Sequence, residues 1–203
     1  FGSDGRVQTV LAVTRDLTGY KRTLEALERT THDLGERIKE LNCLYEVASL
    51  TQQRTRPLAE VLRGILATLI PAYQYPEITC ARISLNREKY CTEPFEQTPW
   101  VQKEEITADN RAIGTLEVFY REERPPAQEG PFLCEERALL SAVADLVGRG
   151  LQERNVWAAR AQAESALKEA QRLAHLGSWE WDEGDSRAYW SEEMFRIAGY
   201  EPQ

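Results

Sequence analysis

Residues 17–48 read LTGYKRTLEALERTTHDLGERIKELNCLYEVA, and their apolar side chains recur at alternating intervals of three and four. The two repeating positions are held by Leu17, Leu24, Thr31, Ile38 and Tyr45, and by Tyr20, Leu27, Leu34, Leu41 and Ala48. Such spacing over more than four heptads is typical of a coiled-coil seam and predicts one long helix. We expect it to pair in parallel with a second copy, as a homodimer whose seam is Leu24, Leu27, Leu34, Ile38 and Leu41. A paired helix transmits motion and does no chemistry, so the stretch indicates a signalling protein.

The composition indicates a folded protein and argues against two classes of partner. Hydrophobic residues make up 42% of the 203 residues, which is enough for a core. The formal net charge is −8, and the 25 Lys and Arg residues form no basic cluster. Nucleic acids and anionic membranes need concentrated positive charge, so neither is an expected partner. No apolar run approaches the roughly 20 residues that span a bilayer. We expect this chain to be a cytoplasmic piece of a longer protein.

Beyond the seam, helical and strand patterns alternate along the chain. Apolar residues recur at helical spacing over residues 58–70, between Pro57 and Pro71, which suit the start and the end of a helix. Four strands are predicted, at residues 77–85, 89–93, 101–108 and 112–120. The dipeptide Asp109-Asn110 favours a tight turn, which implies antiparallel pairing. A second long helix is predicted over residues 135–173. The order predicts an α+β fold, with an antiparallel sheet flanked by helices and a long helix at each end.

The two ends of the chain carry short motifs of one family. Near the start, Asp4-Gly5 and a β-branched run precede Thr14-Arg15-Asp16-Leu17-Thr18 and the long helix. Near the end, Gly177-Ser178-Trp179-Glu180-Trp181-Asp182 is followed by Trp190-Ser191, Met194-Phe195 and Gly199-Tyr200. The first motif resembles the end of a PAS sensor domain, and the second resembles the beginning of another. The resemblance implies that residues 1–16 close one PAS domain and that residues 175–203 open the next.

Residues 41–154, between these ends, resemble a GAF domain in the order helix, helix, antiparallel strands, loop and helix. The resemblance rests on the entry helix at residues 41–49 and on Ile113-Gly114-Thr115-Leu116-Glu117-Val118. Linker helices are then expected at residues 17–50 and 155–174, the second with a thin seam through Arg160, Ala163, Leu167, Ala170 and Ala174. The resemblance implies a PAS-GAF-PAS segment of a two-component sensor histidine kinase. Such a segment relays small-molecule or redox input through dimeric helices and has no kinase activity of its own.

Four residues are candidates for a ligand site in the GAF-like part: Cys80, Arg82, Tyr75 and Trp100. Tyr75 and Trp100 would line a cavity between sheet and loops, where small ligands bind in sensor domains. Arg82 would meet an acidic ligand, or pair with Glu93 instead. Cys80 has a plain alternative, since free cysteines are commonly buried as small apolar residues. No cofactor is required by the pattern, and haem stays open because related folds include haem carriers.

Other functions stay open as alternatives. A Cys-dependent redox module would need a thiol with a depressed pKa among Cys80, Cys91 and Cys134. A purely structural spacer would fill its GAF cavity with its own side chains. The same arrays of domains also precede cyclic-dinucleotide enzymes, so the output of the parent protein stays undetermined.

Two further expectations concern the histidines and the first strand. His32 and His175 are interpreted as surface residues, because the phospho-acceptor pattern around His32 lacks the proline of that family. No metal site is predicted, since the cysteines form no C-x-x-C pair. The strand predicted at residues 7–13 is expected to pair with the strand around Trp179, since both would otherwise have an unpaired edge.

Overall fold

The computed structural model describes residues 18–182, 184 and 187–200. It confirms an α+β fold with an antiparallel sheet. The helices are α1 (Thr18–Gln52), α2 (Leu58–Leu69), α3 (Cys134–Leu173) and α4 (Glu192–Ala198). The strands are β1 (Thr79–Leu85), β2 (Glu88–Cys91), β3 (Val101–Ala108), β4 (Arg111–Tyr120), β5 (Trp179–Asp182) and β6 (Arg187–Trp190).

The main sheet has four antiparallel strands in the order β2-β1-β4-β3. Its central pair is in register from Thr79 opposite Tyr120 to Leu85 opposite Gly114. The turn between β3 and β4 is the predicted one, and Asp109 and Asn110 both have positive φ, at 50° and 58°. Two consecutive left-handed residues match the twist of a hairpin, and Asn and Asp tolerate this conformation better than other non-glycine residues.

The sheet has two faces with different coverings. The helix face, which includes Ala81, Ile83, Leu116 and Val118, packs against the helices in one continuous apolar core. Their neighbours in sequence, Cys80, Arg82, Glu117 and Phe119, point to the opposite side, because successive strand residues alternate. We call this second side the loop face, because residues 92–100 pass over it.

Helices α1 and α3 lie side by side and run in the same direction. The start of α3 lies beside the middle of α1, where Cys134, Ala138 and Leu44 line a common groove. Further along, a Cβ on Gly150 would lie 2.5 Å from Thr51 Cβ, so these two helices are in close contact there.

Because the two helices overlap for only part of their length, α1 extends past one end of the domain and α3 past the other. At 1.5 Å per residue, the path from Thr18 along α1 and on to Leu173 spans about 85 Å. We call the projecting parts the α1 rod, residues 18–36, and the α3 rod, residues 155–173.

The C-terminal residues form a separate small unit. Strands β5 and β6 pair as a hairpin, with Trp179 opposite Trp190. The Ser191 side chain caps α4 by accepting a hydrogen bond from the Met194 N–H, and Gly199 ends it in a left-handed conformation. The expected strand at residues 7–13, the PAS end at residues 1–16 and their pairing with β5 lie outside the described residues. None of the described helices has a stretch long and apolar enough to cross a membrane.

Candidate functional site

Arg82, a predicted ligand residue, is held on the loop face by partners of its own chain. Its Nε donates to Glu117 Oε2 at 2.7 Å, and a second guanidinium nitrogen donates to Gln97 Oε1 at 3.0 Å. The guanidinium lies 5.4 Å from the ring centroids of both Phe95 and Phe119, within the range of a cation–π contact. The expected alternative partner, Glu93, is therefore replaced by Glu117, directly opposite on β4. The charge is already balanced within the chain.

Cys80, the second candidate on the loop face, is fully buried. Its thiol donates to the backbone carbonyl of Glu96 at 3.3 Å. Burial is the main cause that raises the pKa of Cys80. A reactive thiol needs the opposite shift, toward the thiolate at neutral pH. Cys91 lies opposite Arg82 rather than opposite Cys80, and both cysteines carry free thiols.

Cys43 and Cys134 complete the set of free thiols. Cys43 is buried in the core, and burial raises its pKa to about 11. Cys134 is exposed at the first residue of α3. The four thiols thus lie in different environments.

Tyr75 and Trp100 lie elsewhere, at the end of β4. The Tyr75 ring stands edge-on to Tyr120, 5.7 Å between centroids, and Arg124 lies 5.0 Å from the Tyr75 centroid. Trp100 packs against the helix-face core, and its carbonyl accepts a hydrogen bond from the Tyr120 N–H. The four candidates are therefore split between the two faces of the sheet and do not surround one cavity.

A buried carboxylate that the sequence reasoning missed fastens the start of α3. Glu136 is 4% exposed and accepts from Tyr120 Oη at 2.8 Å and from the Gln74 N–H at 2.7 Å. Its other oxygen accepts from the Leu133 N–H at 2.8 Å. The carboxylate therefore satisfies a backbone amide at the start of α3 that has no partner within the helix. Burial, and then the Glu136 charge, raises the pKa of Tyr120 far above its ordinary value. The only sequence signal was a glutamate in the first turn of a predicted helix.

A second polar chain, beside the first, joins the same helix to β3. Tyr73 Oη donates to Gln102 Oε1 at 3.1 Å, and the Gln102 amide donates to Glu129 at 3.2 Å. Glu129 forms an ion pair with Arg137, which also donates to the Lys103 carbonyl at 2.8 Å. The Arg137 guanidinium lowers the pKa of Glu129. These contacts fix the start of α3 to the sheet.

The predicted seam residues are exposed on α1. Leu27, Leu34, Ile38 and Leu41 are between 57% and 65% exposed, and Tyr45 is 78% exposed, whereas Leu24 is 38% exposed. Val47 has no exposed surface, two residues after Tyr45 and thus on the opposite side of the helix. Helix α1 therefore turns one stripe into the core and a second apolar stripe outward.

The end of the domain from which the α3 rod projects is also closely held. Gly148 lies against the backbone of Thr107 on β3. Arg54 and Glu153 form an ion pair at 3.2 Å, and Arg154 donates to the Gln53 carbonyl at 3.3 Å. Here β3, the end of α1 and α3 meet at one level. Beyond it, Val156, Trp157, Leu167 and Leu173 are exposed on the α3 rod.

The remaining candidates are simple surface features. His175 is exposed, with Nδ1 3.4 Å from Glu193, in agreement with its interpretation as a surface residue. The His32 side chain lies outside the described residues. Within the part of the chain that the structure describes, His, Cys, Asp and Glu side chains form no cluster able to hold a metal ion. Comparison with protein-family models, with curated proteins and with solved structures finds no match.

Proposed function

We propose that this chain is a sensory and signal-transducing segment of a cytoplasmic PAS-GAF-PAS sensor histidine kinase, and that it works as a homodimer. In this proposal residues 41–154 are a GAF-like domain, residues 1–16 and 175–203 belong to two PAS domains, and residues 17–50 and 155–174 are linker helices. The motifs at the two ends and the helix-covered antiparallel sheet support this division. The chain itself relays a signal and carries out no reaction.

The observation that carries the proposal is the outward apolar stripe of α1, formed by Leu27, Leu34, Ile38, Leu41 and Tyr45. Full burial of a Leu or Ile side chain is worth about 1.5–3 kcal/mol. These residues recur at coiled-coil spacing on a helix that leaves the domain, so a parallel copy of α1 would bury all of them at once. Exposed apolar rows of this length mark interaction surfaces.

The relay follows from the side-by-side contact of α1 and α3. A rotation or shift of the α1 rod acts on α3 through Thr51 and Gly150 and through the pair Arg54 and Glu153. The α3 rod then carries the movement to the far end of the segment. The helices are taken to have two alternative positions. A ligand can shift the equilibrium between these positions only by the difference between its binding free energies for the two.

A second candidate function, a purely structural spacer that binds no ligand, is favoured by the loop face. Arg82 already has a carboxylate, an amide and two aromatic rings as partners. Cys80 is buried with a raised pKa, which argues against the redox alternative at this residue. Haem binding and a cyclic-dinucleotide output of the parent protein stay alternatives. Native mass spectrometry of the purified chain tests for haem or another retained ligand, since each adds its own mass. The C-terminal remainder of the parent gene decides the output of the parent protein.

The dimer is tested by sedimentation equilibrium at micromolar concentration. We expect a dimer for the unmodified chain and a monomer for Leu34→Glu, which places a charge in the seam. The matched control is Ala26→Glu, which adds the same charge at an exposed position outside the seam. A monomeric unmodified chain, or equal dimerisation of Leu34→Glu and Ala26→Glu, would contradict the proposal.

A further inference from the structure

A groove of about 500 Å³ lies on the outer side of α3, where the α3 rod leaves the domain. Three arginines, one glutamate and one tryptophan give its lining its chemical character: Arg54, Arg149, Arg160, Glu153 and Trp157. Glu153 is paired with Arg54 at 3.2 Å, which leaves the charges of Arg149 and Arg160 in excess. The groove is therefore positively charged, on a chain whose formal net charge is −8. We call it the arginine groove.

Three other grooves in the described part of the chain do not have this charge. The groove between α1 and the start of α3 has Glu40 and Glu135 against Arg37, so its lining is negative. In the groove between α1 and α2, Lys39 is balanced by Glu46. The groove between the α3 rod and α4 has as many acidic as basic side chains: Lys168, Arg172, Arg196, Glu169, Glu192 and Glu193. Charge thus distinguishes the arginine groove as the one of these four that suits an anion.

The two excess guanidinium groups are available to a ligand. Arg149 is exposed, and it forms no hydrogen bond or ion pair with any residue that the structure describes, including Asp145 one turn before it. Arg160 pairs with Glu164 at 2.9 Å, but these side chains are 79% and 60% exposed. An ion pair so open to solvent contributes little stability. Arg160 can therefore exchange Glu164 for the anion of a ligand at small cost.

Trp157 adds a flat apolar surface to the same groove. Its side chain is 42% exposed, and its indole N–H has no acceptor among the described residues. Planar rings stack on such a surface. Trp157 follows Arg149 by about 12 Å along the helix, at 1.5 Å per residue, and Arg54 lies level with Glu153 between them. The groove therefore offers a stacking surface at one end and guanidinium groups at the other.

We propose that the arginine groove binds an aromatic anion of the nucleoside diphosphate class. Its base stacks on Trp157, and its phosphates bind Arg149 with support from Arg54. Guanidinium groups suit this role, because their N–H donors match two phosphate oxygens at once. A volume of about 500 Å³ lies within the range of small-molecule sites. A ligand with only a ring, or only a charge, would use half of the lining.

Binding at this groove would connect the two long helices. Arg54 follows the end of α1, whereas Arg149 and Trp157 belong to α3. The inference goes beyond the proposed function, and the binding does not require the homodimer, because every lining residue belongs to one chain. Arg160 is also part of the thin seam predicted for the α3 rod. Two paired rods would place like charges together there, and a bound anion would reduce their repulsion.

Isothermal titration calorimetry of the full chain with ADP, without magnesium and at low ionic strength, tests the site. Adenosine keeps the ring and lacks the phosphates, whereas pyrophosphate keeps the charge and lacks the ring. We expect each of them to bind at least about tenfold more weakly than ADP. Added sodium chloride should weaken ADP binding, because it screens the attraction between exposed charges.

Two variants and two matched controls locate the binding. Arg149→Gln and Trp157→Leu should each raise the dissociation constant for ADP about tenfold or more. Arg63→Gln changes an exposed arginine of α2, and Trp181→Leu changes a tryptophan of β5 that is 53% exposed. Both controls should leave the constant unchanged. All four positions are exposed, and unchanged urea midpoints verify that each variant folds.

Several results would overturn the inference. These are no binding of ADP at millimolar concentration, equal weakening by Arg63→Gln, and pyrophosphate binding as tight as that of ADP. Tighter binding of a hexaglutamate peptide would also overturn it, in favour of an acidic protein segment. Sedimentation equilibrium separates the inference from the proposed function. A dimer that does not bind ADP contradicts the inference alone, whereas a monomer that binds ADP supports the inference and contradicts the homodimer.

Discussion

Substitution of Gly148 by alanine should destabilise the protein, although alanine favours a helix more than glycine does. Gly148 is buried on α3, and a Cβ there would lie 2.1 Å from the Thr107 carbonyl oxygen. That atom belongs to the backbone of β3 and cannot rotate away, so helix and strand must separate by about 1 Å. Overpacking of this kind costs up to about 3 kcal/mol. The gain in helix propensity is about 1 kcal/mol. We therefore expect a net loss of about 2 kcal/mol.

Urea unfolding followed by circular dichroism at one fixed protein concentration measures this loss. With a slope near 2 kcal/mol per molar urea, the midpoint should fall by about 1 M. Gly35→Ala is the control on α1, where a Cβ meets no atom within 4 Å. It should leave the urea midpoint unchanged or raise it, because alanine adds up to about 1 kcal/mol to the free energy of unfolding. A Gly148→Ala protein as stable as the unmodified one would refute the close contact between α3 and β3.

Two further predictions concern titratable groups. The pKa of Glu129 is lowered from its ordinary value of 4.5 by Arg137, so the pair adds stability that is fully present above that value. This stability is lost as the pH falls through the lowered pKa of the folded state. Glu129→Gln should therefore reduce the change in urea midpoint between pH 6 and pH 3. A variant with the same pH profile as the unmodified protein would contradict the stabilising role of this ion pair. Cys80 is buried with a raised pKa, whereas Cys134 is exposed, so iodoacetamide at pH 8 should label Cys134 at least about tenfold faster. Peptide mass spectrometry measures the two rates, and equal labelling would show that the loop over Cys80 opens readily.

The relay proposed above depends on how the two long helices are held. Helices α1 and α3 meet over part of their length, and at the end of this contact Gly150 packs against Thr51 while Arg154 bonds the Gln53 carbonyl. Gly148, nearby on α3, packs against Thr107 of β3. Packed interfaces of this kind change between discrete arrangements more readily than they deform continuously. The polar contacts of Glu136 and Arg137 hold the other end of the same stretch. A displacement of α1 is therefore expected to move α3 as a unit.

Much of the fold was predictable from local patterns. The apolar period over residues 58–70, the alternation over residues 112–120 and the turn at Asp109-Asn110 each predicted an element that the structure contains. The stripe through Leu34 and Leu41 was predicted to be the seam with a second copy, and both residues are exposed. Whether that stripe pairs with a second copy stays a prediction.

The candidate site was not predictable to the same degree. The sequence grouped Cys80 and Arg82 with Tyr75 and Trp100, but the structure separates them onto opposite faces of the sheet. It also brings Glu136 to Tyr120, a pair with no recognisable spacing in the chain.

By itself, the sequence determined the long helices, the antiparallel strands and the outward apolar stripe, because periodicity and turn preferences depend on neighbouring residues. Only the tertiary structure decided that Glu117 neutralises Arg82, that Glu136 anchors α3, and that α1 and α3 run in parallel. These contacts join residues far apart in the chain. Which residues become partners depends on the packing of the whole core, and local sequence patterns contain no information about that packing.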